Sequence, residues 1–290
     1  EVASGIHDVV APSWSTFWRA WRHKWRRTLH FRKSSSHSKC SQCFKYQELL
    51  HKGNCSLHAK QEAAQNWRTH LKDQYHDRMV YWHLRWFSRQ HRHRPVSCVI
   101  DRSVLVIIID SMDKSKLVWP QYGFRKPKCL DKLRRPRMVL TAALAHGWTT
   151  EFFLHDDEVT SHGASHFCDV LVKTLERVAA ICEREGREMP RHLIIQSDNT
   201  TSQAKNSLVG QFLATLTASG RFETATLNFL TVGHTHEDVD LVFGILLALV
   251  LKRYRVQSPM ELAMMIECGM SDWATRRGEE CHCTVRDGIL

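Results

Sequence analysis

The sequence predicts a mixed α/β fold: a sheet flanked by helices, preceded by a small zinc-binding and helical module. Three observations carry this expectation. Residues 103–110, SVLVIIID, form a continuous β-branched run of the kind that fills a central strand. Downstream, short apolar runs alternate with longer segments of helical period. Upstream lie paired Cys and His residues and a long stretch without Gly or Pro.

Residues 1–36 read as an appendage. Trp14, Trp18, Trp21 and Trp25 recur at helical spacing, with Arg19, Arg22, Lys24, Arg26 and Arg27 between them. Such a basic amphipathic stripe docks on its own protein, lies on an anionic membrane or stacks on nucleic acid. Ser34, Ser35 and Ser36 end it.

Residues 37–97 read as a module. Cys40-x2-Cys43 is followed, eleven residues on, by Cys55-x2-His58. Two such half-sites close on one tetrahedral Zn²⁺, with His37 and His51 as spare ligands. A long helix then spans about 59–90. Its apolar stripe is Trp67, Leu71, Tyr75, Met79, Trp82 and Trp86; its other face is basic, with Arg68, Lys72, Arg78, Arg85 and Arg89. Pro95 ends it, because proline and the residue before it resist helix.

Residues 98–256 read as the core. After the strand 103–110, residues 116–119 read as a second strand. Residues 120–136 read as a basic loop, and residues 137–146 and 148–155 as a hairpin turning at Gly147. A helix runs from Ser161 or His162 to about Gly186, with Phe167, Val170, Leu171, Leu175 and Val178 on one face. Then come a strand 192–197, a helix 202–219 in which Asn199 and Thr200 serve as caps, a strand 225–232 and a helix 236–254. Residues 257–290 read as a C-terminal tail or helix. Hairpins first and alternation afterwards give a mixed sheet.

Composition narrows the function. Apolar content of 43% and charged content of 24% are those of a globular protein. No apolar run reaches the roughly 18–20 residues of a membrane span, and no signal-peptide pattern opens the chain. A first residue of Glu rather than Met suggests a fragment or a processed chain. The net charge of +11 is concentrated in the first hundred residues, where 18 Lys and Arg face 6 Asp and Glu. A module of that charge favours polyanions, chiefly nucleic acid. The ten cysteines make no disulfide scaffold; Cys98, Cys168, Cys182 and Cys268 sit in apolar or helical surroundings, as reduced thiols do. The expected compartment is therefore intracellular.

The densest chemical signal is residues 233–240, GHTHEDVD, between the apolar runs 227–232 and 241–251. Imidazole and carboxylate ligate divalent cations, and crowding them at the end of a strand is costly without a cation or proton. Two other acidic clusters fall at strand ends: Asp110 with Asp113, and Asp198. If their strands are neighbours, the three clusters converge where open α/β sheets place their sites. Two divalent ions held by such carboxylates are the apparatus of in-line phosphoryl transfer; Mg²⁺ or Mn²⁺ suits the oxygen donors. His236 and Asp240, four apart, share a helix face; His234 orients from behind, and Asp238 is auxiliary. Asn199, Lys205 and Asn206 form a second polar group after Asp198, with Lys205 in reach of a phosphate.

The segments IIIDSMDKSK, HLIIQSDNTTSQAKN and LNFLTVGHTHEDVDLVFG resemble a eukaryotic domain family of unknown function. Its core is similar to DDE-type transposases of the ribonuclease-H-like fold. The resemblance covers Cys40 to Tyr254. It implies a ribonuclease-H-like sheet with Asp110 as the first acid and Asp198 as the second. The third ligand lies on the last core helix, Asp240 with His236 beside it. No Glu stands at a clear third position, and Glu237 points away from the face of His236 and Asp240. The implied protein is transposon-derived, an integrase-like phosphoryl transferase with a nuclear DNA partner. Arg68, Lys72, Arg125, Lys126, Lys128, Arg134 and Arg135 contact phosphates in that reading, and self-association into a homo-oligomer is open. Two alternatives stand beside it. One is a domesticated DNA-binding derivative without catalysis. The other is a metallo-hydrolase built on His234-x-His236-x-Asp238, in which Val239 stands where the HxHxDH signature has its final His.

Overall fold

The computed structural model describes residues 13–26, 40–94, 103–118, 128–130, 137–157, 163–234, 237–253, 256 and 258–285. The chain divides into two compact units, Glu1–Ser38 and Lys39–Leu290. In the first, helix α1 (Trp14–Ala20) is capped by Ser13, whose hydroxyl accepts from Thr16 N, and it continues as a π-helical turn, Trp21–Trp25. Trp14 stacks on Phe17 and meets Trp18 edge-on, while Trp14 and Trp25 remain exposed.

The second unit opens with α2 (Ser41–His51) and α3 (Leu57–His93). The core sheet follows: β1 (Val104–Ser111), β2 (Met138–Ala145), β3 (Thr149–Asp156), β4 (His192–Ser197), β5 (Thr224–Phe229) and β6 (Glu280–Val285). Helix α4 (Ala164–Glu185) lies between β3 and β4, and α5 (Ser207–Ala218) between β4 and β5. After β5 come α6 (Asp238–Leu246), a π-helical turn Leu247–Leu251, and α7 (Pro259–Thr275). The strand order is β5-β4-β1-β2-β3-β6. The central meander β1-β2-β3 is antiparallel; β4 joins β1, β5 joins β4 and β6 joins β3 in parallel.

Each local feature has a sequence cause. Gly147, at φ +85°, makes the β2–β3 turn, and a Cβ there would lie 2.7 Å from Arg89 Cα. Gly186, in the left-handed conformation, stops α4. Strand alternation sorts two apolar layers onto the two sheet faces. Leu105, Ile107, Ile109, Phe153, Leu193 and Ile195 face α4 and α5. Val106, Ile108, Leu140, Leu144, Phe152 and Leu154 face α3, α6 and α7.

Several expectations need correction. Of the expected strand 116–119, residue 119 lies outside the described residues; Lys114–Lys116 is a single 3₁₀ turn, and Val118 makes an isolated bridge to Arg137 rather than a strand. The helix after β4 starts at Ser207, and its cap is Asn206, whose side chain accepts from Val209 N; Asn199 instead donates to Leu230 O. The helix after β5 starts at Asp238, two residues later than expected. Residues 257–290 supply α7 and β6, which closes the sheet beyond β3. On α3 the buried residues are Ala63, Gln74, Tyr81 and Ser88, whereas Leu71, Tyr75 and Trp86 of the expected apolar stripe are exposed.

Candidate functional site

Asp110 is in the last turn of pairing of β1, and Asp198 directly follows β4. The parallel register sets Ile108 opposite Gln196. That pair is the last of the ladder, and Asp110 and Asp198 each lie two residues beyond it, at the carboxyl ends of the two strands. Asp110 Oδ1 accepts from Ser111 N at 2.7 Å. Asp198 accepts from both the backbone N–H and the hydroxyl of Thr200. Each carboxylate has about four lone-pair positions, so these bonds leave Asp198 able to accept more. Helix α6 packs on β1 and β2, on the face of Val106 and Ile108 that Asp110 shares. That packing brings the first turn of α6 to the same side of the sheet. There Asp240 Oδ2 accepts from Glu237 N at 3.0 Å, one half of a reciprocal capping box. His236 lies outside the described residues.

Asp113 stands apart from this group. It caps the 3₁₀ turn, accepting from Ser115 N and Ser115 Oγ, and those bonds hold its carboxyl below the ordinary range. Lys205 is exposed and its Nζ stands 5.6 Å over the Phe229 ring.

Helix α3 holds His234, Glu237 and Asp238 of the GHTHEDVD block. Arg78 donates to His234 O at 2.8 Å and pairs with Glu237 at 3.0 Å. Trp82 Nε1 donates to the other Glu237 oxygen at 3.0 Å. Tyr81 donates to Asp238 Oδ1 at 2.8 Å, and Arg85 to Asp238 Oδ2 at 2.9 Å. His146, at the end of β2, completes the cluster, 2.9 Å from Tyr81 Oη and 3.3 Å from Asp238 Oδ2. Arg89 donates to His146 Nδ1, so Nε2 carries the proton of a neutral imidazole. Burial keeps that imidazole neutral by lowering its pKa. Burial alone would raise Asp238; His146, Arg85 and the Tyr81 hydroxyl outweigh it and hold the carboxyl below the usual range. Burial pushes the neighbouring Glu237 up.

These contacts separate His234 from Asp238. The His234 ring turns toward Cys43 and His70, while Asp238 faces Tyr81 and Arg85. Val239, where the hydrolase signature has its final His, is buried in the core. The described residues of the HxHxD motif therefore do not form one site.

The sequence pairing of Cys40 and Cys43 with Cys55 and His58 is not the one the fold makes. Cys40, Cys43, His70 and His234 gather with all their ligand atoms within 4.8 Å of one another. His58 is exposed on the first turn of α3, and neither it nor Cys55 belongs to the group. His70 and His234 are 164 positions apart and join only through the fold. Burial pushes the Cys43 thiol up, against a smaller lowering by Trp67. Burial lowers His234, with His70 and Arg78 adding to it.

Of the expected phosphate contacts, Arg68 and Lys72 are exposed on α3 and Lys128 is exposed on a 3₁₀ turn. Arg125, Lys126, Arg134 and Arg135 lie outside the described residues. Arg78, Arg85 and Arg89 are engaged with Glu237, Asp238 and Glu279. The sequence reading missed His70, Tyr81 and His146. A signal was present: Gln74, Tyr81 and Ser88 recur every seven residues, as do Arg78, Arg85 and Arg92. Seven residues make nearly two helical turns and return to one face.

Among solved structures, the chain is similar to the Mos1 strand transfer complex, with 12% identity over 88% of this chain and 78% of that one, at a TM-score of 0.32. It is similar to the Mos1 transposase paired-end complex with left transposon end, with 12% identity over 93% and 87%, at a TM-score of 0.34. For the human cytomegalovirus terminase nuclease domain the values are 10% identity over 65% and 96%, and a TM-score of 0.19. No curated protein sequence matches the chain. No helix among the described residues is long and apolar enough to cross a membrane. Residues 128–287, more than half of the chain, match the model described as Domain of unknown function (DUF7869), and the chain belongs to that family.

Proposed function

We propose that the protein is a transposase- or integrase-like phosphoryl transferase that cleaves or joins DNA strands with divalent metal. The observation that carries this reading is that β1 and β4 are adjacent and parallel, with Asp110 near the carboxyl end of one and Asp198 just past that of the other. An antiparallel meander continued by two parallel strands supports a ribonuclease-H-like core. Among the described residues Asp110, Asp198 and Asp240 do not gather into one ligand group; in this reading Mg²⁺ or Mn²⁺, which take such oxygen donors, would draw them together, with His236 as a fourth candidate. Such ions, when bound, activate a water or hydroxyl and stabilise the leaving oxygen. The chain's own part is to hold the donors and the strand. Asp110 is held by its place in β1, Asp198 by its bonds from Thr200 just past β4, and Asp240 by the start of α6. Lys205, beside the Asp198 loop, neutralises a phosphate, and exposed Arg68, Lys72 and Lys128 hold the flanking backbone. Arg125, Lys126, Arg134 and Arg135 are further phosphate contacts in this reading.

One observation favours a second reading, a domesticated DNA-binding derivative without catalysis. Asp240 is already an acceptor in the capping box, while Glu237 and Asp238 are taken up by Arg78, Arg85 and Tyr81. The two readings separate in one experiment on the full chain: Mn²⁺ titration with cleavage of labelled DNA, repeated for Asp110→Asn and Asp198→Asn. Mn²⁺-dependent cleavage that both substitutions abolish supports the first. Cleavage unchanged in both variants overturns it. DNA binding without Mn²⁺ uptake in the native chain leaves only the second.

A further inference from the structure

We propose that Cys40, Cys43, His70 and His234 hold a single tetrahedral Zn²⁺ that bolts the α2–α3 module to the loop entering α6. Cys40 precedes α2 and Cys43 lies in its first turn; His70 is on α3; His234 follows β5. Three separate elements thus deliver four ligands of the two types that zinc prefers.

The distances have the right values. With Zn–S near 2.3 Å and Zn–N near 2.0–2.1 Å, a tetrahedron has S···N edges of about 3.5 Å and an N···N edge of about 3.3 Å. Cys40 Sγ lies 3.5 Å from His70 Nε2, and Cys43 Sγ 3.4 Å from His234 Nε2. The two Nε2 atoms are 3.2 Å apart. Hydrogen bonding alone accounts poorly for this arrangement. An imidazole nitrogen has one proton or one lone pair in the ring plane. Here each Nε2 faces both a sulfur and the other Nε2, which is one partner too many. A central cation takes one lone pair from each of the four atoms and satisfies all of them.

The surroundings are built for the group. Gly233, at φ +79°, lets the loop press on Cys40, where a Cβ would lie 2.6 Å from both Cα and N of that residue. Arg78 fixes the carbonyl of His234 itself, the type of outer contact that orients a ligand. The indole N–H of Trp67, on the same helix as His70, is buried with no hydrogen-bond partner. Thiolate and imidazole donors select zinc over Mg²⁺ or Mn²⁺. The site is therefore chemically distinct from the oxygen-rich group of Asp110 and Asp198.

The test uses the full chain, purified reduced and without chelators, with metal measured by mass spectrometry. One zinc per chain is expected, lost in Cys43→Ser and in His234→Gln and kept in the double variant Cys55→Ser, His58→Gln. Replacement by Co²⁺ in the native chain, which needs no variant to fold, is expected to give tetrahedral d–d bands with thiolate-to-cobalt charge transfer. A folded native chain without zinc, an octahedral cobalt spectrum, or zinc lost on changing Cys55 and His58 but kept in His234→Gln would each overturn the proposal. Because Mn²⁺-dependent cleavage is read separately, failure here and failure of the phosphoryl-transfer reading are distinguishable.

Discussion

Helices α4 and α3 cover opposite faces of one sheet by opposite means. Helix α4 buries Phe167, Val170, Leu171, Leu175, Val178 and Ile181, an apolar stripe at helical spacing. Helix α3 sends mostly polar groups inward. Ser88 donates to His146 O and accepts from Val106 N; Tyr81 and Arg85 bind Asp238; Arg92 donates to the carbonyls of Gly147 and Trp148. Apolar burial is non-directional and scales with area. Hydrogen-bonded burial is directional, and a broken partner leaves its mate desolvated and unmet. One face should therefore tolerate shape-conserving change, and the other should not tolerate even isosteric change.

The largest expected effect falls on the apolar face. Leu171 is fully buried, and Leu171→Ala should cost about 2–5 kcal/mol, with Leu171→Met below about 1.5 kcal/mol. Urea unfolding measures both, and equal losses would break the contrast. Next, Asp238→Ala strips Arg85, Tyr81 and His146 of their shared acceptor. The loss should be about 2–3 kcal/mol, below the usual figure for a buried pair because Arg85 is partly solvated. Adding Tyr81→Phe should cost less than it does alone, since the two act on one cluster. Additive losses would show that the polar groups act singly.

The smallest effect is a pair of opposed pH slopes. Burial lowers His146 in the folded state. As pH falls below about 6.5 the unfolded chain takes up that proton first, so stability declines; His146→Gln should flatten this slope. On the α4 face, burial raises Glu151, with Thr149, His282 and Arg177 opposing. As pH rises above about 4.3 the unfolded chain releases that proton first, so stability again declines; Glu151→Gln should remove this slope. Melting temperature against pH reads both, and slopes of the same sign would contradict the assignment.

The same division explains what was legible. Strands β1 and β4 and helix α4 announce themselves through VLVIII, HLII and a 3.6-residue apolar period, because packing against apolar neighbours demands apolar residues. The acids Asp110 and Asp198 were readable as the residues that end those runs. The buried side of α3 was not, because Gln74, Tyr81, Ser88 and three arginines do not register as core. Cys55 and His58 had the right local spacing, yet a ligand such as His234 is supplied by topology. Strand β6 hid for a related reason: Cys281, Cys283 and Val285 alternate with Glu280, His282 and Thr284, a pattern diluted by its charges.

Helix α3 is 37 residues long, about 55 Å at 1.5 Å per residue. His70, Arg78, Tyr81, Arg85, Ser88 and Arg92 are read from it at fixed angular phase. One residue inserted between His70 and Arg78 rotates everything beyond it by about 100°. Such an insertion changes no core volume and removes no side chain, yet it dials His70 out of step with every later contact. Length changes are therefore expected to be tolerated before Leu57 or after His93 and to break these contacts when they fall between His70 and Arg92.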